Sequence, residues 1–290
     1  MQSEKFERLK SLLQDYGSCL VAYSGGVDSV FLAFVAREVL GDKSLAVIAD
    51  SPSLPRRELD EALELSQRFQ FPVRVVRTHE FENENYLANP SNRCYFCKHE
   101  LFTELAPLAK QEGFKVIAYG ENASDIGDYR PGAVAAAEFL VRAPLKEAGL
   151  TKAEIRSLSA ELGLPTADKP QMACLSSRIP YGEAVTEQKL SMIERAENVL
   201  RDLGFYDVRV RHHELTGGTA AVAASNGGAA ADGPKHLARI EVGVDQLPKL
   251  VAEAPVVVEK LKPIGYAHVT VDLQGYRRGS LNEAVKSSAA

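Results

Sequence analysis

The sequence predicts an α/β fold in which a parallel, doubly wound sheet is followed by a smaller α+β domain. Short apolar segments alternate with helical segments over the first 170 residues, and this alternation then stops. A glycine-containing loop also joins the first predicted strand to the next helix, as ligand-binding sheets of this class often require. We therefore expect two domains, over residues 1–170 and 171–290.

The first domain contains the predicted alternation of strands and helices. Residues 4–16 are expected to form an amphipathic helix, because Phe6, Leu9 and Leu13 recur at helical spacing. Strands are predicted at 19–23, 45–49, 73–76 and 115–119, with helices between them at 30–40, 56–69 and 97–112. This order is typical of a parallel sheet with helices on both faces.

The second domain mixes strands and helices without that alternation. Helical segments are predicted at 186–203 and 245–262, and strands at 206–213, 238–242 and 268–273. Between the first two strands, residues 216–234 are rich in Gly, Ala, Ser and Asn, a composition typical of a flexible loop. We expect this stretch to be an insertion without chemical importance.

Composition narrows the class of protein. Hydrophobic residues make up 45% and charged residues 25% of the 290 residues, the balance of a folded globular protein. The net charge of −5 argues against a nucleic acid partner, because phosphate binding usually needs a basic face. No apolar run approaches the ~20 residues that cross a bilayer, and the N-terminus does not resemble a signal peptide. We expect a cytoplasmic protein without a membrane partner.

The loop after the first strand has the properties of a phosphate site. Its sequence is Ser24-Gly25-Gly26-Val27-Asp28-Ser29. At the start of a helix, unpaired N–H groups and the helix dipole favour an anion. Gly25 and Gly26 allow positive φ and a close approach of phosphate, and Ser24 and Ser29 add hydroxyl donors. Asp28 is expected to hold Mg²⁺ against the phosphate.

The same loop resembles the PP-loop of the ATP pyrophosphatase superfamily. Those enzymes cleave ATP between the α and β phosphates, release pyrophosphate and leave AMP on an oxygen of the substrate. Gly120, Asn122 and Asp125 follow the fourth predicted strand and resemble the second nucleotide-contacting loop of that superfamily. A helix N-cap formed by Asn122 or Ser124 is an alternative that is compatible with this role.

Three cysteines form a second candidate site. Cys94 and Cys97 make a Cys-x-x-Cys pair, and Cys174 follows later, whereas Cys19 lies in an apolar strand and is predicted to be a core residue. The pair alone fits a redox dithiol or half of a zinc site, for which His99 is the nearby fourth candidate. Three cysteines without a fourth also suit an iron–sulfur cluster with one open iron.

Taken together, the motifs resemble the LarE family over nearly the whole chain. They are the phosphate loop, 93–98 (Arg-Cys-Tyr-Phe-Cys-Lys), 128–132 (Asp-Tyr-Arg-Pro-Gly), 173–182 (Ala-Cys-Leu-Ser-Ser-Arg-Ile-Pro-Tyr-Gly), 208–213 (Val-Arg-Val-Arg-His-His) and 272–277 (Asp-Leu-Gln-Gly-Tyr-Arg). The resemblance implies a sulfurtransferase that adenylates a carboxylate of pyridinium-3,5-biscarboxylic acid mononucleotide with ATP. Sulfur then replaces a carboxylate oxygen, in the biosynthesis of the nickel-pincer nucleotide of lactate racemase.

The family has two versions of the sulfur step. In one, a single cysteine gives up its own sulfur. In the other, three cysteines hold a 4Fe–4S cluster that relays sulfide from a sulfur donor. Cys94, Cys97 and Cys174 match the second version, so the resemblance implies a cluster on these residues. Sacrifice of Cys174 is the alternative.

The resemblance also implies a site for the substrate's own phosphate. Arg209 and Arg211 alternate on one strand and point to one face, and with Ser177 and Arg178 they match the family's substrate-phosphate site, shared between subunits of a hexamer. A solvated strand face is the alternative for the two strand arginines. Two further residues match family positions. Lys98 matches an active-site lysine, which is expected to contact phosphate or acyl oxygens, and Glu197 matches a carboxylate on the long helix, for which an exposed helix residue is the alternative.

Other acceptors for AMP remain open on the motifs alone. A tRNA base in thiolation and ammonia in a ligation both use PP-loop chemistry, but the acidic charge argues against tRNA, and no glutaminase nucleophile motif is apparent. A non-enzymatic nucleotide sensor that retains the loop is a third class.

Overall fold

The computed structural model describes residues 2–126, 130–170, 173–215 and 235–277. Contacts divide the chain into two compact units, Met1–Tyr86 with Asn92–Ala173, and Leu87–Ser91 with Cys174–Ala290. The predicted boundary at 170/171 adjoins residues outside the described part and stays a prediction. The predicted insertion, residues 216–234, also lies outside the described residues.

The first unit alternates strands and helices along the chain. Its elements are α1 (Gln2–Tyr16), β1 (Cys19–Tyr23), α2 (Val27–Leu40), β2 (Ser44–Asp50), α3 (Arg56–Arg68), β3 (Val73–Arg77), α4 (Glu84–Leu87), α5 (Arg93–Glu112), β4 (Val116–Tyr119), α6 (Pro131–Glu138), α7 (Pro144–Glu147) and α8 (Lys152–Glu161). Short 3₁₀ turns lie at Glu80–Glu82, Ala123–Asp125 and Pro165–Asp168.

The four strands form one parallel sheet in the order β3-β2-β1-β4. Alternate residues of β1 face opposite sides: Val21 packs in the core formed with α1, α2 and α8, and Leu20 packs in the core formed with α5 and α6. Strand β1 is buried at all five positions, as a central parallel strand covered on both faces must be. The α/β fold with helices on both faces is therefore confirmed.

Two helices begin earlier than their apolar periodicity predicts. Helix α2 begins at Val27 rather than residue 30, so Asp28 and Ser29 belong to its first turn. Helix α5 begins at Arg93 rather than residue 97, so Cys94 and Cys97 both lie at its start. Apolar spacing detects the buried part of a helix, and first turns that carry polar or reactive side chains do not contribute to it.

The second unit has a smaller, mixed sheet. Its elements are α9 (Glu187–Asp202), β5 (Arg209–Leu215), β6 (Lys235–Glu241), α10 (Leu247–Ala252), α11 (Ala254–Leu261) and β7 (Tyr266–Val271), with a 3₁₀ turn at Leu175–Arg178. Strand β6 is central, antiparallel to β5 and parallel to β7. The single helical segment predicted at 245–262 is interrupted at Glu253, because Pro255 cannot continue a preceding helix.

None of the helices in the described part of the chain combines the length and the apolar character that crossing a bilayer requires.

Candidate functional site

The phosphate loop joins the carboxyl end of β1 to the first turn of α2. Gly25 has φ of 71°, a conformation that favours glycine. A Cβ at this position would lie 2.9 Å from the Cβ of Ala62 on α3, so a larger residue has no space. Gly26 is the N-cap with φ of −82° and does not use the left-handed region that both glycines allow.

The two serines close the loop on itself. The Ser29 hydroxyl accepts a hydrogen bond from the Ser24 backbone N–H at 3.1 Å and donates one to the Gly26 carbonyl at 3.0 Å. The hydroxyls of Ser24 and Ser29 are also 3.1 Å apart, and because the Ser29 proton is donated to Gly26, Ser24 is the donor of this bond. Ser29 is buried and Ser24 is exposed, so Ser29 shapes the loop while Ser24 presents its hydroxyl to solvent.

Asp28 lies beside the loop with both carboxylate oxygens engaged. Its Oδ2 forms an ion pair with Lys152 Nζ, and its Oδ1 accepts a 3.4 Å hydrogen bond from the Asn122 side-chain amide. Burial raises the pKa of Asp28, and the Lys152 ammonium opposes that rise by favouring the charged form. The Asp28 carboxylate is therefore already paired with one cation, the Lys152 ammonium, at the place where the sequence predicts Mg²⁺.

The loop after β4 lies against the phosphate loop. A Cβ at Gly120 would lie 3.1 Å from both the Asp28 Cβ and the Ser29 backbone nitrogen, so a larger residue would require these neighbours to shift by a few tenths of an ångström. Asn122 and Asp125 form a capping box: the Asn122 side chain accepts from the Ser124 N–H, and the Asp125 carboxylate accepts from the Asn122 N–H. The structure thus brings together the predicted nucleotide-site residues of both loops.

The cysteines differ in accessibility. Cys94 is exposed and Cys97 partly buried in the first turns of α5, whereas Cys19 is fully buried in β1, where burial raises its pKa to about 12. Cys174 is partly buried and is the N-cap of the 3₁₀ turn in the second unit. No group of three or more His, Cys, Asp or Glu residues in the described ranges is arranged to hold a metal ion. The three-cysteine cluster stays a prediction.

Lys98 follows Cys97 on α5. Its Nζ lies 5.9 Å from the ring centre of Phe102, and its Cγ would be 2.9 Å from a Cβ added at Gly132 on α6. Gly132 therefore leaves space for the lysine stem, and the role of Lys98 stays a prediction.

In the second unit, Arg178 and Glu197 form a buried ion pair. Arg178 Nε and Nη2 donate to the two Glu197 oxygens at 2.8 and 3.0 Å, and Arg178 is 2% and Glu197 0% exposed. Glu197 also accepts from the Val210 backbone N–H at 3.1 Å and from Arg201 at 3.0 Å. The arginine neighbours hold the pKa of Glu197 below its ordinary value despite burial. Glu197 is thus not an exposed helix residue.

Arg209 and Arg211 are buried as well, rather than on a solvated strand face. Arg211 donates to the Ser177 carbonyl and to Glu241, both at 2.8 Å. Arg209 lies 4.8 Å from the ring centre of Tyr276, and burial together with the Arg178 charge lowers its pKa. Arg178 Nη1 donates to the Ser177 hydroxyl at 3.0 Å, so the four predicted phosphate residues belong to one cluster.

The cluster is rich in guanidinium groups. In the described part of the second unit, four of them form ion pairs with three carboxylates, and a fifth, Arg209, is close enough to Arg178 and Glu197 for their charges to act on its pKa. The cations are Arg178, Arg201, Arg209, Arg211 and Arg239, and the carboxylates are Glu197, Glu241 and Asp272. Several guanidinium groups held close together are suited to bind an anionic ligand such as a phosphate.

Two residues of these sites were missed from the sequence. Glu241 bridges Arg211 on β5 and Arg239 on its own strand β6, and no local pattern connects Glu241 with Arg211, from which 30 residues separate it. Lys152 was detectable, because the capping box of Thr151 and Glu154 marks the start of α8 at this lysine.

Comparison with known proteins establishes the family. The pyridinium-3,5-bisthiocarboxylic acid mononucleotide synthase of Lactiplantibacillus plantarum is 31% identical over 278 residues, which cover 96% of this chain and 93% of the relative. The chain belongs to the LarE family. An uncharacterized protein of Synechocystis is 42% identical over 287 residues, 98% of this chain and 99% of its own length. No family model matches the chain.

A more distant relative supports the fold of the first unit. A glutamine-hydrolyzing GMP synthase subunit of Thermoplasma volcanium is 26% identical over 216 residues, 68% of each chain. This similarity and the parallel sheet agree with the PP-loop fold. The chain is therefore a LarE-family enzyme of the synthase or ligase type with a PP-loop fold.

Proposed function

We propose that the chain uses ATP to transfer sulfur to pyridinium-3,5-biscarboxylic acid mononucleotide, releasing AMP and pyrophosphate. The observation that carries the proposal is the phosphate loop at the start of α2 in a member of the LarE family. The product named for the Lactiplantibacillus relative is the corresponding bisthiocarboxylic acid mononucleotide. The nickel-pincer cofactor of lactate racemase is the proposed destination of that product.

The first chemical step is adenylation of a substrate carboxylate. A carboxylate oxygen attacks the α phosphorus of ATP, and the bond to the bridging oxygen breaks with release of pyrophosphate. Backbone N–H groups at the start of α2 would stabilise the departing phosphates, together with the exposed Ser24 hydroxyl. The AMP ester makes the former carboxylate oxygen a good leaving group.

Mg²⁺ fits the loop through Asp28. This carboxylate lies in the first turn of α2 and forms an ion pair with the Lys152 ammonium, which shows that a positive charge can be placed there. When bound, Mg²⁺ would neutralise phosphate charge and stabilise the leaving pyrophosphate. Asn122 would orient the carboxylate through its hydrogen bond to Oδ1.

In the second step, a sulfur nucleophile attacks the acyl carbon and AMP departs, leaving a thiocarboxylate. Cys94, Cys97 and Cys174 are proposed to hold a 4Fe–4S cluster, since none of them is fully buried and three thiolates suit a cluster with one open iron. When bound, that cluster would supply sulfide taken from an external sulfur donor. Lys98, next to Cys97 on α5, is proposed to contact phosphate or acyl oxygens.

The substrate's own phosphate is proposed to bind the arginine cluster of the second unit. Ser177, Arg178, Arg209 and Arg211 supply the donors, and the concentration of guanidinium groups described above supports an anion there. By resemblance to the family, we propose that the enzyme acts as a hexamer in the cytoplasm.

The direct test is turnover by anaerobically purified protein. ATP, Mg²⁺, sulfide and the biscarboxylate mononucleotide should give AMP, pyrophosphate and a product with the mass change of oxygen-to-sulfur exchange. A tRNA-thiolating enzyme would instead modify tRNA, and a nucleotide sensor would bind ATP without turnover. Either result contradicts the proposal.

The sulfur source is tested separately by replacing Cys94, Cys97 and Cys174 one at a time with alanine, with Cys19→Ala as the control. Cluster relay predicts loss of iron, acid-labile sulfide and sulfur transfer in all three variants. If only Cys174 is required and its mass falls by that of H₂S after turnover, Cys174 is sacrificed and the cluster proposal fails.

A further inference from the structure

Lys152 contacts the phosphate loop although nothing in the loop's sequence indicates it. The lysine is the first residue of α8, and its Nζ pairs with Asp28 across a sequence separation of 124 residues. Its backbone N–H donates to the Ser124 hydroxyl at 3.0 Å, which fixes the start of α8 beside the loop after β4. The ammonium is therefore held at the start of α2, where an anion is favoured.

The ion pair occupies one of the two carboxylate oxygens that a divalent cation could use. Lys152 pairs with Asp28 Oδ2, and Asn122 donates to Oδ1 at 3.4 Å, so Mg²⁺ bound through Oδ2 would compete directly with the ammonium. Two cations cannot share that oxygen without strong repulsion. The Lys152 side chain is 29% exposed and has a flexible four-carbon stem, so the ammonium is free to move while α8 stays in place.

We propose that Lys152 is a phosphate-binding residue of the nucleotide site, neutralised by Asp28 until Mg²⁺ binds Asp28 and releases it. The released ammonium donates to the phosphates held at the start of α2. Without Mg²⁺ the site offers a neutral ion pair, and with Mg²⁺ it gains the charges of both the metal ion and the lysine. This proposal rests on the proposed use of ATP. It adds Lys152 to the nucleotide site, and it adds that Mg²⁺ binds Asp28 before the lysine contacts the phosphates.

Binding measurements separate this role from a structural one. Calorimetry with MgATP and AMP should show that Lys152→Met weakens MgATP about tenfold or more, the effect of losing a charge-assisted hydrogen bond, and changes AMP affinity far less. Lys152→Arg should retain most MgATP affinity. Lys146→Met is the matched control, because Lys146 forms a 2.9 Å ion pair with Glu121 at the same sheet edge and should leave both affinities unchanged.

The exchange itself is tested with ATP in the presence of EDTA. Asp28→Asn should raise the affinity for metal-free ATP, because it removes a negative charge and frees Lys152. In the Asp28→Asn, Lys152→Met double variant most of that gain should disappear, and the double-mutant cycle isolates the lysine's share. These comparisons decide the proposal even where Lys152→Met lowers the melting temperature.

Two results overturn the proposal: unchanged MgATP affinity in Lys152→Met, or the same gain for metal-free ATP in the single Asp28 variant and the double variant. Both leave the proposed function standing if the unsubstituted protein binds MgATP. If that protein binds no MgATP, the proposed use of ATP fails, and the role of Lys152 fails with it.

Discussion

The two proposed anion sites, one in each unit, are built in different ways. In the first, the donors are backbone N–H groups at the start of α2, and the nearby charges of Asp28 and Lys152 cancel. In the second, buried guanidinium groups are held by buried carboxylates. Backbone donors at an open helix end can bind water when no ligand is present, whereas a buried arginine always needs a counter-charge. Ligand binding and stability should thus be separable in the first unit and coupled in the second.

The largest expected effect comes from breaking the buried ion pair. Glu197→Gln leaves Arg178 in the interior without its carboxylate, so we expect the free energy of unfolding to fall by about 3–5 kcal/mol. Urea unfolding measures the change. Glu187→Gln, on the exposed first turn of the same helix, should cost less than about 1 kcal/mol. Equal losses in the two variants would mean that the second unit does not depend on its charges for stability.

A smaller effect is expected when Gly25 on the phosphate loop is replaced. Gly25→Ala combines positive φ with a clash against Ala62, and we expect a loss of about 2–4 kcal/mol. Gly163→Ala is the control, because φ is 70° there but an added Cβ meets nothing within 4 Å, so only about 1–2 kcal/mol should be lost. Thermal unfolding compares the two. If Gly25→Ala and Gly163→Ala lower the stability by similar amounts, the clash with Ala62 does not contribute and the positive φ alone explains the loss.

Between neutral pH and about pH 5, the smallest expected effect is a pH dependence carried by His212 in the second unit. Its ring bonds to the Tyr266 hydroxyl at 3.2 Å and to His236 at 3.0 Å, and burial, reinforced by His236, lowers its pKa from 6.5 to about 3. The folded protein thus binds fewer protons than the unfolded chain. The stabilisation is complete above pH 6.5 and is lost as the pH falls towards 3, by at most about 1.4 kcal/mol per pH unit.

Urea unfolding between neutral pH and about pH 5 measures that slope. His212→Gln should reduce it, whereas His79→Gln should not, because His79 is exposed and Glu82 raises its pKa. An unchanged slope in His212→Gln would assign the acid sensitivity to other groups.

The sequence was sufficient for features that depend on local order. The alternation of apolar segments predicted the parallel sheet, and the run from Ser24 to Ser29 joins β1 to the first turn of α2, as predicted. Both signals lie within a few residues of chain, where period and turn chemistry operate.

The sequence was insufficient where a site depends on distant partners. Alternation placed Arg209 and Arg211 on one face of a strand, but their burial depends on Ser177, Glu241 and Tyr276, which belong to other elements. Pairing of Lys152 with Asp28 likewise depends on how the start of α8 lies beside the loop after β4. Spacing along the chain carries no information about such charge partners.

The contact between Gly25 and Ala62 means that the conformation of the phosphate loop depends on the size of the side chain at position 62. The φ of 71° at position 25 favours glycine, so a larger side chain at position 62 cannot be compensated by a smaller one at position 25. A residue larger than alanine at position 62 would therefore displace the phosphate loop. Ala62 belongs to α3 and is not among the residues proposed to bind the nucleotide. We expect Ala62→Val to weaken nucleotide binding by distorting the loop. Ala62→Val would thus test the geometry of the loop while every residue proposed to bind the nucleotide is retained.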